Sequence, residues 1–166
     1  MEDEVKDWMK KIENVRKGDV DLSRDEDLSI ALMNLISLEE HFYFTAMKTN
    51  NQKYLEMLNS VRELRKSLLA KIVKDPKGEE WCISKHLLAA SMRLIEVGTK
   101  EFSKGNAKEA NVFFGHAFNL YSLFFAINTK MVDFKNLENF EEKGIKNGIL
   151  DKFSVIIKKI VDCCKE

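Results

Sequence analysis

"LISLEEHFYF", residues 35–44, decides how this chain is read. Leu28, Leu32, Leu35, Phe42 and Ala46 recur at steps of three and four, the spacing that puts side chains on one face of a helix. Glu39 stands at the centre of that face. An unpaired carboxylate there would carry a desolvation cost of several kcal/mol or take up a proton. The stretch therefore predicts a long helix and, with it, a cationic partner from a neighbouring helix.

The next helical segment supplies the partner. Tyr54, Met57, Leu58, Val61, Leu64, Leu68 and Ile72 form its stripe, and Arg65 falls inside it. Counting down both segments from the turn near Asn51 puts Glu39 and Arg65 at about the same height. A guanidinium is a planar fork with five donors and suits a buried carboxylate. An ion pair within this hairpin is expected. The same counting brings His116 to this level, so Glu39, Arg65 and His116 form the candidate ligand-binding cluster.

The pattern extends outward from this pair. Val5, Trp8, Met9, Ile12 and Val15 predict a short helix over 3–17, with Gly18 as its stop. Long helices are predicted over about 26–49 and 52–74, then over 79–103 and 106–130 after the break "KDPKGEE", where Pro76 and Gly78 interrupt. Leu87, Ser91, Leu94, Ile95, Gly98 and Phe102 mark one side of the third. Ala110, Phe113, Phe114, Ala117, Tyr121, Phe124 and Phe125 mark one side of the fourth. Ile149, Phe153, Ile156, Ile157 and Ile160 predict a closing helix over 148–164. The expected fold is all-α: a single domain over 1–166, a bundle of two long antiparallel hairpins with additional N- and C-terminal helices.

Composition agrees. Of 166 residues, 45% are apolar, enough for a real core at this length, and one proline with seven glycines favours long helices over a turn-rich β fold. The 27 basic and 27 acidic residues cancel, which argues against a general nucleic-acid binder. Cys82, Cys163 and Cys164 make a poor disulfide framework and point to a reducing cytoplasm. The acidic start "MEDEVKDW" predicts no signal peptide, and no uninterrupted apolar run approaches the roughly 20 residues of a membrane span.

Cys82 and His86, four apart in "WCISKH", are weak candidates for a metal site or a nucleophile–base pair. A di-iron bundle needs Glu-x-x-His, and none occurs: His116 has Phe113 at that position and His86 has Ile83. Gly-x-Gly-x-x-Gly, a phosphate-loop lysine and zinc-finger spacing are also absent from the sequence. No cofactor is expected.

"LIEVGTKEFSKGNAKEANVFFGHAF", residues 94–118, resembles one tetratricopeptide repeat, over about 94–122. Gly98, Gly105, Ala110, Phe114 and Ala117 stand at that family's small and aromatic positions. Leu94, Glu101 and Ser122 depart from its Trp, Tyr and Pro positions. The resemblance implies a close-packed hairpin, a peptide-binding groove and no enzyme. The leading expectation is thus a non-enzymatic helical interaction module with a protein partner or a homodimer. The alternatives are a small-ligand or metal-binding bundle around Glu39, Arg65 and His116, and an acid–base enzyme using that cluster. A deep, solvent-connected pocket at Glu39 would favour these alternatives.

Overall fold

A computed structural model describes residues 22–130, and those residues are all-helical. The predicted segments 3–17 and 148–164 lie outside the described residues. Four helices follow in order: α1 (Ser23–Thr49), α2 (Lys53–Ile72), α3 (Glu80–Ser103) and α4 (Ala107–Asn128). α1 packs on α2, α3 packs on α4, and α1 also touches α3.

The turns explain the boundaries. α1 stops at Asn50, whose left-handed backbone (φ 50°) is the conformation that short amides tolerate best among non-glycine residues. Asn51 then accepts the Lys53 backbone N–H on its side-chain oxygen at 3.1 Å. Asn106, in the corresponding turn, works differently, with its amide donating to Glu101 Oε2 at 2.7 Å. Gly105 precedes it with φ 84°, a value that most side chains resist. α2 ends at Ile72, two residues short of the predicted 74. The Val73 N–H still bonds back to Leu69, but its ψ of 87° leaves the helical region.

One core joins all four helices. Leu32 and Met33 of α1, Leu69 and Ile72 of α2, Leu87 and Leu88 of α3, and Phe124, Phe125 and Ile127 of α4 are buried together. The rings of Phe124 and Phe125 meet edge-on at 5.2 Å, and Tyr121 meets Phe125 the same way at 5.1 Å. Small polar residues complete the seams. Ser91 Oγ donates to the Ala117 carbonyl at 2.9 Å, and Asn128 Nδ2 donates to Ser84 Oγ at 3.0 Å. Ser29 Oγ spends its single proton on the Glu26 carbonyl, so the Tyr121 hydroxyl, 2.6 Å away, is the donor between these two. Burial drives the Tyr121 pKa up to about 12. The Ser29 hydrogen bond works against that rise, and the charges of Glu26 and Asp27 add to it.

Four expected core positions are open instead. Met57 and Leu64 are exposed on α2, and Phe102 is 63% exposed at the end of α3. The α2 pair lies on a flank that faces neither α3 nor α4. Phe102 sits in the last turn of α3, just before the turn into α4. Ile95 is also exposed, although the stripe places it on the inner side of α3. Among the described helices, α4 alone is long and apolar enough to cross a membrane by length and composition. The lone hydroxyls and asparagines within it do not stop the average, which is what a search for uninterrupted runs overlooks. Here its apolar side chains supply Phe124, Phe125 and Ile127 to the core.

Candidate binding groove

The predicted ion pair is the floor of a groove. Glu39 and Arg65 are both buried, with 8% and 5% of their surface exposed. Arg65 donates from Nε to Glu39 Oε1 at 2.7 Å and from its terminal nitrogen to Oε2 at 3.2 Å, a two-pronged bond. A second guanidinium joins it: Arg62 Nε donates to Glu39 Oε2 at 3.0 Å. Burial alone would raise the Glu39 pKa. The hydrogen bonds and charges of Arg65 and Arg62 more than reverse that and hold the carboxyl below its ordinary value. Among the described residues no buried side-chain nitrogen or oxygen lacks a hydrogen-bond partner.

His116 does not join the cluster. It is exposed on α4 and does not line the groove. Equal height along the chain was a sound inference for α1 and α2, which pack on each other. It carries no information about which way α4 turns a given side chain, and α4 points Ala117 inward instead.

Three helices build the walls. α1 contributes Ile36, Glu39, Glu40, Tyr43 and Phe44, spaced as one helix face. α2 contributes Leu58, Arg62, Arg65 and Lys66. α3 contributes Trp81, Lys85, Ala89, Arg93 and Glu96, again one face. The space between them is about 1260 Å³ and open to solvent. Tyr43 and Phe44 stand on the rim, 48% and 58% exposed, with their rings edge-on at 5.3 Å. Arg93 ties α3 to α1 by pairing with Glu40, and it also holds Glu96 at 2.6 Å.

Cys82 and His86 are exposed on the α3 wall, and Cys82 is a free thiol. His41, on α1, lines the same groove. Among the described residues no three His, Cys, Asp or Glu side chains gather as a metal site would require. The sequence reading missed Arg62, Trp81, Lys85 and Arg93 as groove residues. A signal for the rim was available: Tyr43, Phe44 and Met47 form a second apolar strip on α1, outside the stripe that enters the core. The contribution of α3 had no such signal, because the contact between α1 and α3 joins residues more than fifty apart.

A scan of family models and searches of curated proteins and solved structures returned no match for this chain.

Proposed function

We propose that this chain is a non-enzymatic helical interaction module, acting in the cytoplasm, whose groove between α1, α2 and α3 receives a segment of a partner protein. In this reading the described helices form two long antiparallel hairpins, with further helices at the N- and C-terminal ends. The second hairpin, over about 94–122, is the tetratricopeptide-like unit. The single observation that carries the proposal is the rim: Tyr43 and Phe44, two large aromatic side chains, stand half-exposed beside an open groove. Rings held this way lose little conformational freedom on binding and gain a large contact area.

The small-ligand reading keeps one support, since the groove does reach Glu39 and Arg65. Two observations weigh against it. Both Glu39 oxygens are already engaged by arginines. The space is also wider than the roughly 300–1,000 Å³ of ordinary ligand pockets and is not enclosed.

A photoreactive amino acid at position 44 or 85 tests the proposal in cells. Both positions are expected to crosslink to the same partner, while position 57, outside the groove, does not. Phe44→Glu is expected to abolish binding of that purified partner without changing the circular dichroism of the fold. Crosslinks only within the chain itself, or binding indifferent to Phe44→Glu, would remove the groove from the interaction.

A further inference from the structure

We infer that the occupant of this groove is an acidic protein segment carrying a bulky apolar anchor, an inference that rests on the groove being the interaction surface proposed above. The charge balance points there. Five cations line the groove (Arg62, Arg65, Lys66, Lys85 and Arg93) against three carboxylates, leaving two positive charges in excess with histidines neutral. The distribution says more than the sum. Every groove carboxylate is already engaged: Glu39 by Arg65 and Arg62, Glu40 and Glu96 by Arg93. A basic residue on a partner therefore meets only carboxylates that already share an arginine.

A carboxylate on a partner meets two unspent donors. Lys85 has no ion pair among the described residues. Arg62, exposed over 45% of its side chain, uses only Nε toward Glu39, which leaves both terminal nitrogens of its guanidinium open. Lys85 lies one helical turn beyond Trp81 on the same wall, and Tyr43 and Phe44 line the same groove from α1. Apolar contact and cation are thus adjacent, the pairing that fixes both affinity and register. From Trp81 to Glu96 the α3 wall runs about 22 Å at the rise of an α-helix, room for roughly four turns of a partner helix.

A nucleic acid is also anionic and stacks on aromatic rings. It would bring a dense row of phosphates past Glu40 and Glu96, and a net excess of two charges is thin compensation for a duplex or a long single strand. A protein segment can place its acids only where the donors are.

Panning a phage-displayed library of random peptides, ~12 residues long, on the full chain tests this, at a length that spans the wall when extended. Enrichment of Asp and Glu around Trp, Phe or Leu is expected. A fluorescent copy of the enriched peptide should bind at least about tenfold more weakly to Lys85→Glu, more weakly at high salt, and only modestly more weakly to Lys85→Gln. Panning on Lys85→Glu should lose the acidic preference. Neutral or basic peptides that nonetheless require Phe44 would overturn the acidic occupant and leave the groove standing as the interaction surface. Acidic peptides indifferent to both Phe44→Glu and Lys85→Glu would sink both ideas, as would a failure to enrich any sequence. A single-stranded oligonucleotide that displaces the peptide and binds more tightly, with loss on Lys85→Glu, would overturn the inference in favour of nucleic acid.

Discussion

Glu39 accepts three hydrogen bonds from two arginines, and the two arginines are not equivalent. Arg65 is buried with it, while Arg62 is half in water. Removing one member of a buried pair strands the other charge, so Glu39→Ala and Arg65→Ala should each cost on the order of 3–5 kcal/mol in chemical denaturation. Arg62→Ala should cost about 1 kcal/mol or less, because water solvates what remains. Replacing Glu39 and Arg65 together by Leu and Met should cost less than either alanine change alone, since neither charge is then left over. A Glu39→Ala cost no larger than that of Arg62→Ala would mean the pair is solvated after all. The pH dependence follows from the same bonds. The folded pKa of Glu39 lies below its unfolded value, so its contribution is complete above the ordinary carboxylate pKa of 4.5. It is lost as pH falls from there through the folded value. Stability measured against pH should therefore drop more steeply below 4.5 in the parent than in Glu39→Gln. This pair was legible in the sequence because a charge inside a periodic stripe is a physical contradiction that has to be resolved nearby. Arg62 was not, since it sits beside the stripe and a helix side chain that long reaches where spacing does not lead.

At the scale of the helix, the α3–α4 seam depends on small side chains at seven-residue steps. Ser84, Ser91 and Gly98 are all buried on one line of α3. Gly98 is the tightest point: a Cβ built there would lie 2.6 Å from Cε1 and 2.8 Å from Cδ1 of Phe114. A ring held in a seam cannot withdraw as the end of a lysine would. Gly98→Ala gains about 1 kcal/mol of helix propensity. Overpacking of this kind costs roughly 1–3 kcal/mol, and a contact this short belongs toward the upper end. A net loss of about 1–2 kcal/mol is expected in urea denaturation, with most of it returned when Phe114→Leu is added to give the Cβ room. A stabilised Gly98→Ala would show that the ring moves freely. The positions of these helices were legible to within three residues because stripes, breakers and turn residues agreed. Their exposed faces were less so. Met57 and Leu64 have the right period for a core, yet a period states only which residues share a side of the helix. Whether another element covers that side is decided by the packing of the other helices.

For the molecule as a whole, the groove and the core are two ends of one arrangement. The four helices share their apolar residues in one cluster, where Leu32, Leu69, Leu88 and Phe124 are fully buried. Beyond that cluster, the face between α1, α2 and α3 is left open. The open face was not legible from the sequence, because it is lined by three helices and depends on how they are placed side by side, which no residue pattern within one helix records. Fusion through one core also makes a prediction about cooperativity. The Phe124 ring belongs to α4, but its neighbours in the cluster come from all four helices. Phe124→Ala should cost about 3–5 kcal/mol, the range for emptying a buried aromatic site. Its effect should not be confined to α3 and α4. Hydrogen exchange followed by mass spectrometry should lose protection in α1 and α2 to the same extent as in α4, since helices that bury their apolar residues in one shared cluster open with it. Retention of parent-like protection in α1 and α2, with loss only in α3 and α4, would mean that the two pairs fold as separate units joined by residues 73–79. The groove between α1 and α3 would then be an adjustable joint, and its width could not be what selects a partner.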